Sequence, residues 1–458
     1  MSDRPLLIVI LAAGKGTRMK SALPKVLHKV AGRSMLAHVM ALSADLGAAR
    51  IAVVVGPEMA NVRAEVHALA PDAAIYEQTE QRGTGDAVLA AREAIAGHSG
   101  DVLVLYADTP LTRAASLIAM RRSLDVAEGV CVLGFDAADP TGYGRLLTSA
   151  DGSLLAIREH KDASPDELDV TLCNSGVMGF RVADLAGLLD RIGNDNAKGE
   201  YYLTDAVEIA RGAGLRASVV TCGEDEVLGV NSRDQLAVAE AIWQRRARAR
   251  AMAEGVTMVA PETVFLSYDT TFGRDVVLEP NVFFGPGVAI ADDVLIRANC
   301  YLEGHDQKSR AGLTIGKGTS IGPFARLRPG TTLGEDVHVG NFVEVKNASL
   351  EDGAKANHLT YVGDARVGAG ANIGAGTIFC NYDGYNKNRC DVGAGVFIGS
   401  NSALVAPVSI GDGAYVAAGS TITRDVAAGA LGIERAEQTE KPEWAANYRF
   451  RMEKPKGG

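Results

Sequence analysis

Long apolar runs are absent from this 458-residue chain, and no stretch reaches transmembrane length. Its six cysteines (Cys131, Cys173, Cys222, Cys300, Cys380 and Cys390) form no C-x-x-C pair and no dense framework. That spacing argues against a disulfide scaffold or a zinc site and leads us to expect reduced thiols in a cytoplasmic protein. Positive charge is in the minority: 46 Lys and Arg face 56 Asp and Glu, a net charge of -10. A chain of that balance is not built to coat nucleic acid, so any phosphate it binds must be gripped locally. The opening segment MSDRPLLIVILAAGKG is too short for a signal peptide and carries no cleavage site, so a buried first strand is expected. The glycine loop that follows is not a P-loop, since no G-x-x-x-x-G-K-[ST] occurs, nor a Rossmann fingerprint, since the third Gly is missing and Pro24 interrupts. What remains is an ordinary globular composition, 47% hydrophobic and 22% charged, long enough for about three domain-sized units.

The second half repeats with a period of six. Aliphatic or aromatic residues recur at Leu278, Phe284, Ile290, Ile296 and Leu302, and again at Ile315, Ile321, Leu327, Leu333, Val339 and Val345. They return at Val367, Ile373 and Phe379, and at Val392, Ile398, Leu404, Ile410, Val416 and Ile422. This period suits neither a helix nor an alternating strand, but it suits a β-helix in which each hexapeptide donates one aliphatic to a continuous core. The next residue is usually Gly or Ala, as a tight corner requires. Arg328 and Lys346 break that rule and are eighteen residues apart. If three hexapeptides make one coil, the two cations sit on adjacent coils, roughly 4.8 Å apart along the axis. One such charge would be a solvated surface residue; two on the same edge favour an anion site.

Residues 1 to about 230 alternate short apolar runs (Leu6–Leu11, Ile51–Val55, Val102–Tyr106) with helical patterns such as Thr84–Ala96. This is the pattern of a mostly parallel sheet covered by helices, which binds ligands at the carboxyl ends of its strands. A helix is expected from Arg233 to Glu254, a β-helix from near Pro261 to near Arg424, and a tail from about Lys441. In that tail Trp444 and Tyr448 suggest packing, and the final residues suggest disorder. In the loop LAAGKGTRMKSALPK, Gly14 and Gly16 let the backbone approach phosphate oxygens, and Lys15, Arg18 and Lys25 supply charge. Asp108, at the end of a central strand, suits either a Mg²⁺ ligand or a helix cap. A second oxygen ligand must come from farther along, and Asn231 is a candidate that spacing alone does not select.

The segments LAAGKGTRM, then PK, then Asp108 closing a strand resemble the sugar-nucleotide pyrophosphorylases. With QRGTGDAV at 81–88 and ARLRPG, VGNFVEVKN, ANHLTYVGDA, NIGAGTIFCNYDG and VAPVSIG farther on, residues 6 to about 440 resemble the bifunctional N-acetylglucosamine-1-phosphate uridylyltransferase/glucosamine-1-phosphate acetyltransferases. The resemblance implies a Rossmann-like nucleotidyltransferase domain over 1–232, a helical linker over 233–254, a left-handed parallel β-helix of hexapeptide repeats over 255–440, and a tail over 441–458. It places Leu11, Ala12, Ala13, Gly14, Lys25 and Tyr106 at the nucleotide, and Gln78, Gly83 and Thr84 at the uracil. Asp108 and Asn231 match the Mg²⁺ ligands, and Gly144, Glu159 and Asn174 match residues that hold the N-acetylglucosamine moiety. Arg18 matches the cation that stabilises charge on the triphosphate. Ala107 replaces a Gly often found there, which an extra methyl should not disturb. In the second site the resemblance makes His358 the general base, oriented by Glu344 as we expect. Arg328, Lys346, Tyr361 and Asn372 would hold the sugar phosphate, and Ala375, Asn381, Tyr382, Ser400, Ala418 and Arg435 acetyl-CoA.

The implied chemistry is attack of a sugar phosphate on the α-phosphorus of UTP, driven by positioning and charge neutralisation. It is preceded by attack of an amine on the acetyl-CoA thioester, where a histidine, titrating near neutral pH, suits removal of the amine proton. A cytoplasmic homotrimer without nucleic-acid or membrane partners is expected, with the tail and the insertion around Asn381–Arg389 reaching a neighbour. Two other readings stay open. One is a single-function pyrophosphorylase whose β-helix is a scaffold. The other is a non-catalytic assembly subunit, against which Arg18, Lys25 and Asp108 speak.

Overall fold

A computed structural model describes residues 4–306 and 308–453; the final tail residues, 454–458, lie outside the described residues. The chain divides into two compact units, Met1–Ala247 and Arg248–Gly458, with the boundary inside the helix Arg233–Ala253.

The first unit is built on a nine-stranded sheet. At its centre Leu6–Leu11 pairs in parallel with Arg50–Val55 and Asp101–Tyr106, and Ala74–Glu77 extends the parallel set. Leu7, Val9 and Leu11 enter the core on one face, Leu6, Ile8 and Ile10 the core on the other. A strand buried on both faces reads as an unbroken apolar run, which is why it was visible in the sequence. Leu172–Arg181 runs antiparallel between Asp101–Tyr106 and Gly129–Asp136. It departs from the parallel pattern because the chain reaches it through the hairpin Arg145–Thr148 and Leu154–Arg158, without a long crossover helix. The strand expected from Val102 begins one residue earlier, at Asp101. That carboxylate is fully buried and satisfied by Arg4 Nε at 2.8 Å and Arg121 Nε at 3.1 Å. The expected helix Thr84–Ala96 is two helices, Thr84–Ala90 and Arg92–Ala96. Ala91 leaves helical geometry (φ -91, ψ 21) and its N–H bonds the Val88 carbonyl in a three-residue turn, a break that no glycine or proline announces.

The second unit is a left-handed parallel β-helix whose three interior columns are chains of parallel strand pairs. One column runs Leu278, Ile296, Ile321, Val339, Ala356, Ile373, Ile398, Val416. A second includes Phe284, Leu302, Leu327, Val345 and Val362, and the third Ile290, Ile315, Leu333, Leu350, Val367, Val392 and Ile410. Regular partners are eighteen positions apart, but Leu302 pairs with Leu327 and Ile373 with Ile398, twenty-five apart. Seven extra residues therefore enter at each of two coils. Between Val345 and Val367 the step falls to seventeen, and Leu350, Ala356 and Val362 fill the interior there. The lost residue shifts the phase, so a strict period of six misses this coil. Among the described residues no helix is long and apolar enough to cross a membrane.

Candidate active sites

The first cavity opens at the carboxyl ends of Leu6–Leu11 and Asp101–Tyr106, where a sheet of this class binds ligands. Leu11, Ala12, Ala13, Gly14, Lys25, Gln78, Gly83, Thr84, Tyr106 and Asp108 all line it. So do Val26, Gln81, Ala87 and Glu200, which the sequence reading left unassigned. A Cβ on Gly14 would meet nothing within 4 Å, so this backbone faces open space. Gly16 differs: its φ is +60, and a Cβ there would lie 2.5 Å from the Lys25 Cβ. Its missing side chain makes room for Lys25, not for ligand. Gly16→Ala is therefore expected to displace Lys25 and to cost on the order of 1–3 kcal/mol of stability through left-handed strain; an unchanged Tm in the variant would contradict this.

The loop after Ala74–Glu77 is fixed by backbone contacts. The Tyr201 N–H donates to the Arg82 carbonyl and the Gly85 N–H to the Tyr201 carbonyl, each at 2.8 Å. A Cβ on Gly83 would stand 2.5 Å from the Tyr201 oxygen. The Gln78 side-chain nitrogen donates to the Gly83 carbonyl (3.0 Å) and to Asp86 (2.9 Å), so it shapes this loop directly. The Gln81 amide donates to the Ala13 carbonyl and closes the loop onto the first strand. Gln81 lies inside the quoted QRGTGDAV segment, but Glu200 comes from a distant loop and had no sequence signal.

Lys25, Asp108 and Asn231 converge. The Lys25 ammonium donates to the Asp108 carboxylate and, at 2.9 Å, to Asn231 Oδ1. The Asn231 amide is oriented by its Nδ2, which donates to the Gly229 carbonyl (3.3 Å), while its backbone N–H donates to Gln235 (2.8 Å). The Val230 N–H donates to the Asp108 carbonyl at 2.9 Å and ties the two segments together. Asp108 caps no helix, since the next one starts at Ala114. One carboxylate and one amide oxygen around a cation position form a donor set for a hard divalent ion that completes its shell with phosphate and water. Arg18 stands exposed on the turn Thr17–Met19 and is not among the lining residues of the cavity.

Gly144, Glu159 and Asn174 also meet one another. The Asn174 N–H donates to the Gly144 carbonyl at 2.8 Å, and a Cβ on Gly144 would touch Glu159 Oε1 at 3.4 Å. Burial pushes the Glu159 carboxyl up from its ordinary range. Asn174 Oδ1 accepts the Gly176 N–H at 2.9 Å, and Gly176 packs against the Tyr106 ring, whose hydroxyl burial also pushes up. Through Tyr106 this cluster adjoins the cavity.

In the second unit Arg328 and Lys346 stand on adjacent coils, with the Arg328 N–H donating to the Val345 carbonyl at 2.9 Å. They line a cavity of about 580 Å³ with Lys308, Ser309, Asn347, Asp364 and Lys387. Contact with Lys387, burial and the Arg328 charge all lower the Lys346 pKa, the mark of crowded cations. The Arg328 Nε is buried and bonds no protein group among the described residues. Lys308 and Lys387 come from the two seven-residue insertions, where no repeat rule could place them. The expectation for Glu344 is corrected: it accepts from Arg328 at 2.9 Å and sits in register with Tyr361, whereas His358 pairs with Asn341. His358 thus stands three register positions before Glu344.

His358, Ala375, Ser400 and Ala418 form a single edge, each two residues beyond an in-register interior position. The Gly376 N–H donates to the His358 carbonyl (3.2 Å), the Asn401 N–H to Ala375 (2.7 Å) and the Gly419 N–H to Ser400 (2.8 Å). Arg435 Nη1 donates to the Ala418 carbonyl at 3.0 Å. Asn372 pairs with Lys355 and Phe397 on the face that leads to this edge. Asn381 Nδ2 reaches the Tyr361 hydroxyl (3.4 Å) and the Asp364 carboxylate, and Tyr382 is exposed beside it. Lys346 pairs with Gly363, two residues beyond Tyr361 and five beyond His358.

Residues 8–163 match the MobA-like NTP transferase domain, and residues 312–347 and 389–424 match the bacterial transferase hexapeptide repeat. Over 456 residues the chain is 60% identical to the bifunctional protein GlmU of Azorhizobium caulinodans, covering 100% of both chains. It is 59% identical over 457 residues to that of Xanthobacter autotrophicus, again covering 100% of both. For that of Sphingopyxis alaskensis the figure is 54% over 456 residues, covering 99% of this chain and 98% of the relative.

Proposed function

The chain belongs to the GlmU family of bifunctional enzymes, a nucleotidyltransferase joined to a hexapeptide acetyltransferase, and from that premise we propose the substrates and the residues of each half. The acetyl half takes glucosamine 1-phosphate and acetyl-CoA. The uridylyl half then takes the resulting N-acetylglucosamine 1-phosphate and UTP, giving UDP-N-acetylglucosamine and pyrophosphate. What carries the reading is that two separate residue sets each close on their own place: ten of them on the cavity at the strand ends, four on one β-helix edge.

In the uridylyl site the open backbone at Gly14 receives the nucleotide, Gln81 and Gln78 hold its loop, and Gly144, Glu159 and Asn174 hold the sugar beside Tyr106. Asp108 and Asn231 would hold Mg²⁺, which when bound neutralises phosphate charge. Lys25 and Arg18 add positive charge around the phosphates, Arg18 from its exposed turn. In the acetyl site Arg328, Lys346 and Tyr361 grip the sugar phosphate and orient its amine. Asn372 joins them at the sugar phosphate, His358 removes the amine proton, and Ala375, Asn381, Tyr382, Ser400, Ala418 and Arg435 lie along the thioester substrate. A homotrimer in which neighbouring β-helices face each other would complete each acetyl site. UTP and acetyl-CoA as co-substrates support a cytoplasmic enzyme.

One vessel tests both halves: protein, glucosamine 1-phosphate, acetyl-CoA, UTP and Mg²⁺, with free thiol and pyrophosphate followed together. Thiol release followed by acetyl-CoA-dependent pyrophosphate release is expected. Pyrophosphate formed only from supplied N-acetylglucosamine 1-phosphate, without thiol, would reduce the protein to a pyrophosphorylase with a silent β-helix.

A further inference from the structure

We propose that Lys25 is the resident counter-cation of the uridylyl site: its ammonium fills the position between Asp108 and Asn231 until the triphosphate draws it away, so that metal and nucleotide enter together. The inference rests on the reading that Asp108 and Asn231 hold the metal.

The two oxygens form a socket before any ligand arrives. Asn231 is fixed by Gln235 and by the Gly229 carbonyl, and Asp108 is held through the Val230 N–H. The side chains of Lys25 and Asp108 are only 10% and 18% exposed. A carboxylate so enclosed needs a cation partner, and the ammonium supplies one. The lysine's approach is itself built in. Pro24 opens the turn Lys25–Leu27, the His28 N–H donates to the Lys25 carbonyl, and Gly16 leaves the gap in which the Lys25 stem lies.

An ammonium and a divalent ion cannot share these two oxygens, because both would face the same donors at contact distance. For the metal to bind, Lys25 must leave, and leaving unpaired is unfavourable. The triphosphate supplies the anion that accepts the displaced ammonium, since Lys25 also lines the nucleotide cavity. Nucleotide therefore raises metal affinity by removing a competitor as well as by donating phosphate oxygens, and metal raises nucleotide affinity by the same factor. The gain is protection against idle occupation of the site by metal alone.

The test is Mn²⁺ binding by the full chain, read from the loss of the free Mn²⁺ electron paramagnetic resonance signal, with and without UTP and with no sugar phosphate present. Lys25→Met is expected to bind Mn²⁺ without nucleotide on the order of 10-fold more tightly than wild type. The further gain on adding UTP should shrink by a similar factor. Lys25→Gln, which keeps hydrogen-bonding groups and loses the charge, should behave in the same way and covers disturbance of the loop by the thioether. Equal Mn²⁺ affinities in wild type and both variants would overturn the proposal. Asp108→Asn separates the two levels. If it weakens Mn²⁺ binding while the Lys25 variants change nothing, only the competition fails. If it leaves Mn²⁺ binding with UTP intact, the assignment of Asp108 itself fails.

Discussion

Asp108→Asn is expected to lower pyrophosphate release on the order of 100- to 1000-fold, while thiol release from acetyl-CoA keeps its wild-type rate. The substitution preserves shape and removes one charge at a place where two other groups depend on it. Lys25 loses its charged partner, and the socket loses its sole carboxylate. Developing charge on the transferring phosphate is then neutralised less well, and neutralisation is the main service such a site provides, since no nucleophilic side chain takes part. The acetyl reaction is carried by residues of Arg248–Gly458, whereas Asp108 belongs to Met1–Ala247, so the second activity measures protein integrity in the same sample. A parallel fall in both rates would mean lost folding; an unchanged pyrophosphate rate would remove Asp108 from the reaction.

Asp108 could be found without a structure because it follows a strand that is buried on both faces and therefore announces itself. The same is true of the β-helix: each coil must give one aliphatic to each interior column, so the repeat is written into the sequence at every sixth position. The reading fails where the chain changes phase. Leu350, Ala356 and Val362 fill the interior of a coil one residue short, and Ala356 looks unremarkable in sequence though its side chain faces the core. The cations Lys308 and Lys387 sit on insertions that have no periodicity to betray them. Gly16 was legible as a glycine and not as the neighbour of Lys25, because that contact depends on a turn eight residues on. Likewise Glu344 was assigned to His358 from its place in the preceding coil. Register instead set it beside Tyr361 and within reach of Arg328. Charge pairing across coils is decided by register, and register by the exact length of each coil.

His358→Ala is expected to lower acetyl transfer between about 100- and 10,000-fold, the range for loss of a general base, with pyrophosphate release from supplied N-acetylglucosamine 1-phosphate unchanged. The histidine heads the edge formed by Ala375, Ser400 and Ala418, so a thioester lying along that edge would bring its carbonyl carbon toward the ring. The amine that attacks is protonated near neutral pH and must lose that proton to expose its lone pair. This gives the variant a second signature. As pH rises, more of the amine is already neutral, so the rate deficit of His358→Ala should narrow toward alkaline pH. A residue that merely packed the edge would leave a deficit independent of pH and would raise the acetyl-CoA KM instead. The two outcomes separate on a pH series of thiol release at saturating acetyl-CoA. A deficit that stays constant across that series would take the proton-removing role from His358 and leave it a place in acetyl-CoA binding alone.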